Sequence, residues 1–191
     1  MTEFIRYIKS NSQISDSDLV KILASADAKT FQRNEFLLEQ GQISRNKIFV
    51  CKGLLRNFGL TDDGSEHILQ FTPENTWTLD VESYDNGTPA RYNIAAIEKS
   101  NVLVWEKSDF DTLLHEIPEF KSLSQQIISR NIYYSRQRIL TAISASPEAK
   151  YEEFVTLFPS LLSRLPLHMI ASYLGMSVKT LTRIRHAQLH K

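Results

Sequence analysis

The chain has 191 residues, 42% of them hydrophobic, and its 22 basic and 22 acidic side chains cancel to a formal charge of zero. This is enough apolar material for one large or two small buried cores, and no run of about eighteen apolar residues offers a membrane-spanning helix. A single cysteine, Cys51, excludes an internal disulfide, a cysteine zinc site and an iron–sulfur cluster held by one chain.

Met1 to Arg6 lack the charged and apolar regions of a signal peptide, so a cytoplasmic protein is expected. Helical periodicity covers residues 2–10 (Phe4, Ile5, Ile8) and 16–25 (Leu19, Ile22, Leu23), with Ser15 or Asp16 available as a cap; both read as short surface helices. From Ala28 to about Glu106 the pattern changes to brief β-rich runs without a useful helical period. Strands are predicted at 29–33, 36–39, 47–52, 54–60, 66–71, 77–79, 92–96 and 102–106. Asp62-Asp63-Gly64 signals a hairpin, and Gln40-Gly41-Gln42 and Asn86-Gly87-Thr88-Pro89 mark further turns. Eight short strands at this spacing suggest a jelly roll. Such a roll can enclose a cavity, for which Leu55, Ile68, Gln70, Trp77, Leu79, Tyr92 and Ile94 are candidate linings; the same residues would equally fill a core. Cys51, between Val50 and Lys52 in a predicted strand, reads as structural.

A short helical piece at Ser108 to Leu114 leads to Pro118, and the longest helical pattern follows, from about Glu119 to Ser144. Phe120, Leu123, Ile127, Asn131 and Tyr134 form one stripe, and Ile128, Ile132, Ile139 and Ile143 a neighbouring one. Two stripes imply two partners: the β-roll of the same chain and the same helix of a second subunit. Leu123, Ile127, Ile128, Asn131, Tyr134 and Ser135 are the candidate dimer contacts, with Asn131 as a register-setting polar residue; a helix packed only within its own chain is the alternative. Glu148 to Leu157 reads as another amphipathic helix, with Tyr151, Phe154, Val155 and Phe158 apolar.

The C-terminal stretch from Pro166 to His186 reads as a helix-turn-helix. Pro166 suits a first helical turn, Ile170 and Leu174 recur four apart, and Gly175 supplies the positive φ at which the first helix stops. Ser177 can cap the second helix, whose inner face carries Leu181 and Ile184, while Ala171 leaves room for a steep crossing. Val178, Lys179, Thr182, Arg183 and His186 share the outward face, and Ser177, Thr180 and Arg185 complete the candidate DNA-binding set. Arg183 is the candidate guanine reader, because a planar guanidinium can pair with guanine O6 and N7 together. The competing reading is that these cations merely complement the helix dipole. Against it, residues 154–191 hold Arg164, Lys179, Arg183, Arg185 and Lys191 and no acid, a charge of +5 against −5 for the remainder.

This order of a β-roll, a long helix and a C-terminal helix-turn-helix resembles the Crp/Fnr family of bacterial transcription regulators over nearly the whole chain. Ile170-Ala171-Ser172-Tyr173-Leu174-Gly175 and Leu181-Thr182-Arg183-Ile184-Arg185 look like the divergent Bacteroidetes-type members. The resemblance implies an α+β protein in three parts: residues 1–117 a cyclic nucleotide-binding-like double-stranded β-helix sensor, 118–145 a dimerisation helix, 146–191 an all-α, winged-helix-like helix-turn-helix domain. Little chain remains after the second helix, so the wing is expected to be reduced or absent. It further implies a homodimer on double-stranded DNA at an imperfect palindrome, contact with RNA polymerase, and gating by a small-molecule effector whose identity the sequence does not give; no membrane partner is expected.

Three departures narrow the expectation. Cyclic-nucleotide-binding relatives carry a Gly-Glu pair and a later Arg-Ser pair, whereas this chain has Trp77-Thr78-Leu79-Asp80-Val81-Glu82 and Pro89-Ala90-Arg91-Tyr92. Glu82 and Arg91 remain candidates for ribose and phosphate, yet cyclic AMP is not expected, no other cofactor is evident, and the cysteines of the oxygen-sensing branch are missing. Lys179 stands where many relatives carry an acidic base reader. An enzyme is disfavoured, since His67 and His115 are isolated, His168, His186 and His190 lie in the basic end, and no phosphate loop or nucleophile elbow occurs. The remaining alternative is a ligand-sensing or adaptor protein whose helix-turn-helix serves protein contacts.

Overall fold

The computed structural model describes residues 1–189; His190 and Lys191 lie outside the described residues. The chain divides into two units, residues 1–59 with 69–128, and residues 60–68 with 129–191.

The first unit begins with α1 (Thr2–Asn11) and α2 (Asp16–Ala24), the latter capped by the Ser15 side chain, which accepts from Asp18 N–H. The strands follow: β1 (Asp27–Phe31), β2 (Phe36–Leu38), β3 (Asn46–Lys52), β4 (Leu55–Leu60), β5 (Glu66–Thr72), β6 (Trp77–Thr78), β7 (Asn93–Ala96) and β8 (Ser100–Glu106). They form two four-stranded sheets, ordered β1-β8-β3-β6 and β2-β7-β4-β5, which is the eight-stranded roll expected. A short helix, α3 (Val81–Asn86), lies between β6 and β7, and α4 (Lys107–Glu116) and α5 (Pro118–Ser144) follow β8.

Strand alternation sorts the cores. In the antiparallel pair β3–β8, Ile48 faces Val104 and Val50 faces Val102, and these side chains join Leu38, Leu55, Ala90, Ile94 and Ala96 in one buried cluster inside the roll. The alternate residues Phe49, Cys51, Leu103 and Trp105 join Phe4, Ile8, Leu19, Ile22, Phe110, Leu113, Phe120 and Leu123 in a second cluster. The terminal helices are therefore a layer of the core rather than surface additions, with Phe4, Ile8 and Ile22 fully buried. Trp105 donates its indole N–H to Ile22 C=O at 2.8 Å. Cys51 is buried, as a structural cysteine should be, and burial pushes its thiol up.

Two local features differ from the sequence reading. No helix is expected between residues 28 and 106, yet α3 forms there because Asp80 caps it through Ser83 N–H and Gly87 closes it at φ +66. The Asn86-Gly87 turn signal is thus a helix C-cap.

Gly53, between β3 and β4, has φ +103, and a Cβ there would meet Ser100 Oγ and lie 2.6 Å from Ser100 Cα. Ser100 is itself fixed, accepting from Leu54 N–H at 3.1 Å and donating to Glu98 C=O at 2.8 Å. Gly53→Ala is expected to cost on the order of 3 kcal/mol through strain and overpacking. Urea unfolding should show a lowered midpoint with an unchanged slope.

Candidate nucleic-acid interface

In the second unit, α6 (Pro147–Leu157) starts at Ser146, whose side chain accepts from Ala149 N–H at 3.2 Å, with Pro147 in the first turn. A 3-10 turn (Pro159–Leu161) leads to α7 (Leu167–Leu174) and α8 (Val178–Leu189). Tyr151, Phe154, Leu161, Leu165, Met169, Ile170, Ala171, Leu174, Leu181 and Ile184 are buried, so each predicted inward position of the helix-turn-helix is inward. Pro166 precedes the first turn as its N-cap, one place earlier than expected. Gly175 adopts φ +65, and Met176 N–H reaches back to Ala171 C=O at 3.0 Å, closing α7. Ser177 Oγ accepts from Thr180 N–H at 3.1 Å and starts α8.

The outward face of α8 then resolves into roles. Val178, Lys179, Arg183 and His186 are exposed, and Thr182 and Arg185 are half-buried. The hydroxyls of Ser177 and Thr180 are engaged with each other at 2.9 Å in the cap, and Thr182 Oγ1 donates to Val178 C=O at 2.8 Å. Arg183 Nη2 lies 3.0 Å from Glu148 Oε1 on α6.

The tip of the β4–β5 hairpin, residues 60–68, supports α7. Asp63 accepts from Thr61 Oγ1, Ser65 N–H and Ser65 Oγ, which lowers its carboxyl to about 2. Ser172 Oγ donates to Glu66 C=O at 2.7 Å and accepts from Ile68 N–H at 3.0 Å. Arg138 of α5 donates through Nη2 to Ile68 C=O at 3.0 Å and Tyr173 C=O at 3.1 Å, and its guanidinium lies 4.0 Å from the Tyr173 ring centre. Tyr173 in turn meets the rings of Phe154 and Phe158 at 5.6 and 6.2 Å, and burial pushes its hydroxyl up.

The two stripes of α5 separate, with a correction. Leu123 is buried in its own chain's core and is not free for a second subunit, whereas Ile127 packs against that core and stays partly exposed. The exposed stripe is Ile128, Ile132, Ile139 and Ile143, the last 80% exposed, with Tyr134 and Leu140 also exposed. Asn131 and Ser135 are exposed beside it.

The candidate effector residues scatter. Leu55 and Ile94 line the interior of the roll, where both are fully buried. Trp77 is on the opposite face, because β6 pairs with β3 so that Trp77 stands beside Phe49 in the outer cluster. Ile68 is engaged through its backbone with Ser172 and Arg138, and Gln70 is exposed, so neither joins the interior cluster. Leu79 and Tyr92 are half-buried. Glu82 and Arg91 pair with each other at 3.3 Å on the surface. Asp80, which sequence reasoning passed over, is the buried centre of this segment, accepting from Ser83 N–H at 3.0 Å and Arg91 N–H at 3.2 Å. Its signal was an Asp followed three residues later by Ser and closed by Gly87. Arg138 and Glu148 were also passed over, and only their partners in space mark them. Among the described residues, no three His, Cys, Asp or Glu side chains gather as metal ligands.

Residues 28–116 match the cyclic nucleotide-binding domain family. The transcriptional activator protein Anr of Pseudomonas aeruginosa is 23% identical over 171 residues, covering 82% of this chain and 68% of Anr. Among solved structures, FixK2 from Bradyrhizobium japonicum is 16% identical with a TM-score of 0.75, covering 86% of this chain and 84% of its own. A regulator assigned to the Crp/Fnr family from Eubacterium rectale is 14% identical with a TM-score of 0.73, covering 97% and 88%.

Arg138→Ala removes two charge-assisted hydrogen bonds and a cation–π stack from the support of α7. A loss of about 2 kcal/mol is expected, read as faster amide exchange in α7 and the hairpin tip, and Arg138→Lys should not restore it.

Proposed function

We propose that the chain is a transcription regulator of the Crp/Fnr type that acts as a homodimer placing two α8 helices in successive major grooves of a palindromic DNA site. The observation that carries this reading is the outward face of α8. Val178, Lys179, Arg183 and His186 are exposed on a helix whose other face is fixed by Leu181 and Ile184. The basic, acid-free end supplies attraction to phosphates, and direct contacts from this face supply sequence preference. The exposed apolar stripe of α5 supports dimerisation, since contiguous apolar surface marks an interface. Half-sites would then lie about 34–36 Å apart.

Gating by a small molecule requires that the effector bind one dimer arrangement more tightly than the other. A cyclic nucleotide is not that effector in this reading. The buried carboxylate of Asp80 already takes the backbone N–H groups of Ser83 and Arg91, and its charge would repel a cyclic phosphate. Glu82 and Arg91 lie 3.3 Å apart in an exposed ion pair. Among the described residues, no helix is long and apolar enough to cross a membrane. A cytoplasmic regulator that contacts RNA polymerase and performs no catalysis fits this picture.

The test is selection from random duplex DNA at near-physiological salt with no added effector. Enrichment of a two-fold symmetric motif is expected, and Arg183→Ala should lose about 1–3 kcal/mol per half-site at a guanine while keeping its circular dichroism. Replacing Ile132 and Ile143 by Glu should yield monomers by sedimentation and abolish the motif. Weak, salt-sensitive binding that Arg183→Ala leaves unchanged would instead favour a helix-turn-helix used for protein contacts.

A further inference from the structure

Arg183 reaches the outward face of α8 already held. Its Nη2 donates to Glu148 Oε1 at 3.0 Å across 35 residues of sequence, and the two side chains are 66% and 50% exposed. An ion pair so open to water adds little to stability. Its consequence lies in geometry and local charge.

The helix that carries the carboxylate is well fixed. Glu148 occupies the first turn of α6, where the helix dipole favours an anion. Ser146 caps that turn, and Tyr151 and Phe154 bury the helix behind it. The Glu148 carboxyl is held below its usual range by its own backbone N–H first and by the Arg183 guanidinium next. Arginine carries five N–H donors in a rigid plane, so a bond from one nitrogen leaves donors for a base edge.

We propose that Glu148 is a positioning residue for base reading: it sets the plane of the Arg183 guanidinium so that the remaining donors meet guanine O6 and N7 in the major groove. This rests on the reading of α8 as a DNA-recognition helix. A free arginine of equal charge can satisfy a phosphate as readily as a base, and phosphate contacts carry no sequence information. Tethering by Glu148 removes that freedom, and its negative charge opposes phosphate approach at the same spot. Glu148 therefore raises discrimination rather than affinity. Non-matching DNA should bind the wild-type chain more weakly than a chain lacking this carboxylate.

The test uses the duplex enriched by the full-length wild-type chain and copies in which each guanine of a half-site is replaced. Wild-type protein should discriminate at the Arg183 base by about tenfold or more. Glu148→Ala and Glu148→Gln should reduce this to a few-fold while binding random duplex more tightly, and Glu148→Asp, which keeps the charge but shortens the reach, should fall between. In an Arg183→Ala background, Glu148→Ala should no longer alter discrimination, which separates positioning from a general structural effect. Thermal melts of each variant check the fold. Equal gains for all sequences with unchanged discrimination would make Glu148 a mere source of repulsion and overturn the proposal, as would no change at all. If the wild-type chain shows no sequence preference, the DNA reading of α8 itself fails, a result distinct from either.

Discussion

The packing of Trp105 against both the sheet and the helices is the constraint from which the first unit follows. β3 and β8 are apolar on both faces, with Ile48, Val50, Val102 and Val104 turned into the roll and Phe49, Leu103 and Trp105 turned out. A sheet of this kind cannot leave its outer face to water, and each large side chain buried there contributes roughly 1.5–3 kcal/mol. α1, α2, α4 and the start of α5 supply the cover. The Trp105 ring lies 5.2 Å from those of Phe4 and Trp77 and 6.3 Å from Phe110. Phe120 and Leu123 commit the first turns of α5 to this layer. The helix then continues to Ser144 with Ile128, Ile132, Ile139 and Ile143 uncovered by its own chain. A surface of that kind is what a second copy of the helix would bury.

The eight strands were legible because they are short β-rich runs, most of them closed by a turn with Gly, Asn or Asp, and the hairpin at Asp63-Gly64 because its turn chemistry is local. The helix-turn-helix was legible for a related reason: its inward positions, its Gly175 stop and its Ser177 cap all lie within about twenty residues. Where a residue's role depends on a distant neighbour, the sequence was silent. Trp77 looked like a cavity lining because β6 has only two residues, too few to show which face is which; its pairing with β3 decides that. Leu123 reads as a dimer contact because a stripe shows that a face is apolar and not what covers it. α3 escaped notice because six residues ending in Asn-Gly carry no period.

The same limit applied to the effector segment. Glu82 and Arg91 were read as possible ribose and phosphate contacts, but the structure joins them to each other and puts Asp80 beneath them. A buried carboxylate needs compensating donors, and here backbone N–H groups of Ser83 and Arg91 provide them. Beyond it, Leu38, Leu55, Ile94 and Val104 are in contact, and the buried side chains of Asn57 and Thr78 hydrogen-bond to each other at 2.9 Å.

A neutral protein that binds DNA cannot rely on bulk attraction. The +5 of the basic end is offset by −5 elsewhere, so under the proposed function counterion release at a few phosphates would have to work against an acidic remainder, which would keep non-specific affinity low. Preference for one sequence must then arise from the small number of side chains that reach base edges. In the proposed reading Arg183 would be the strongest of these in donor geometry, and Glu148 places a carboxylate beside it. That arrangement is wasteful if the aim is tight binding, because it neutralises a cation at the interface. It is effective if the aim is a large ratio between right and wrong sites, since an oriented guanidinium loses most when the base it faces is not guanine.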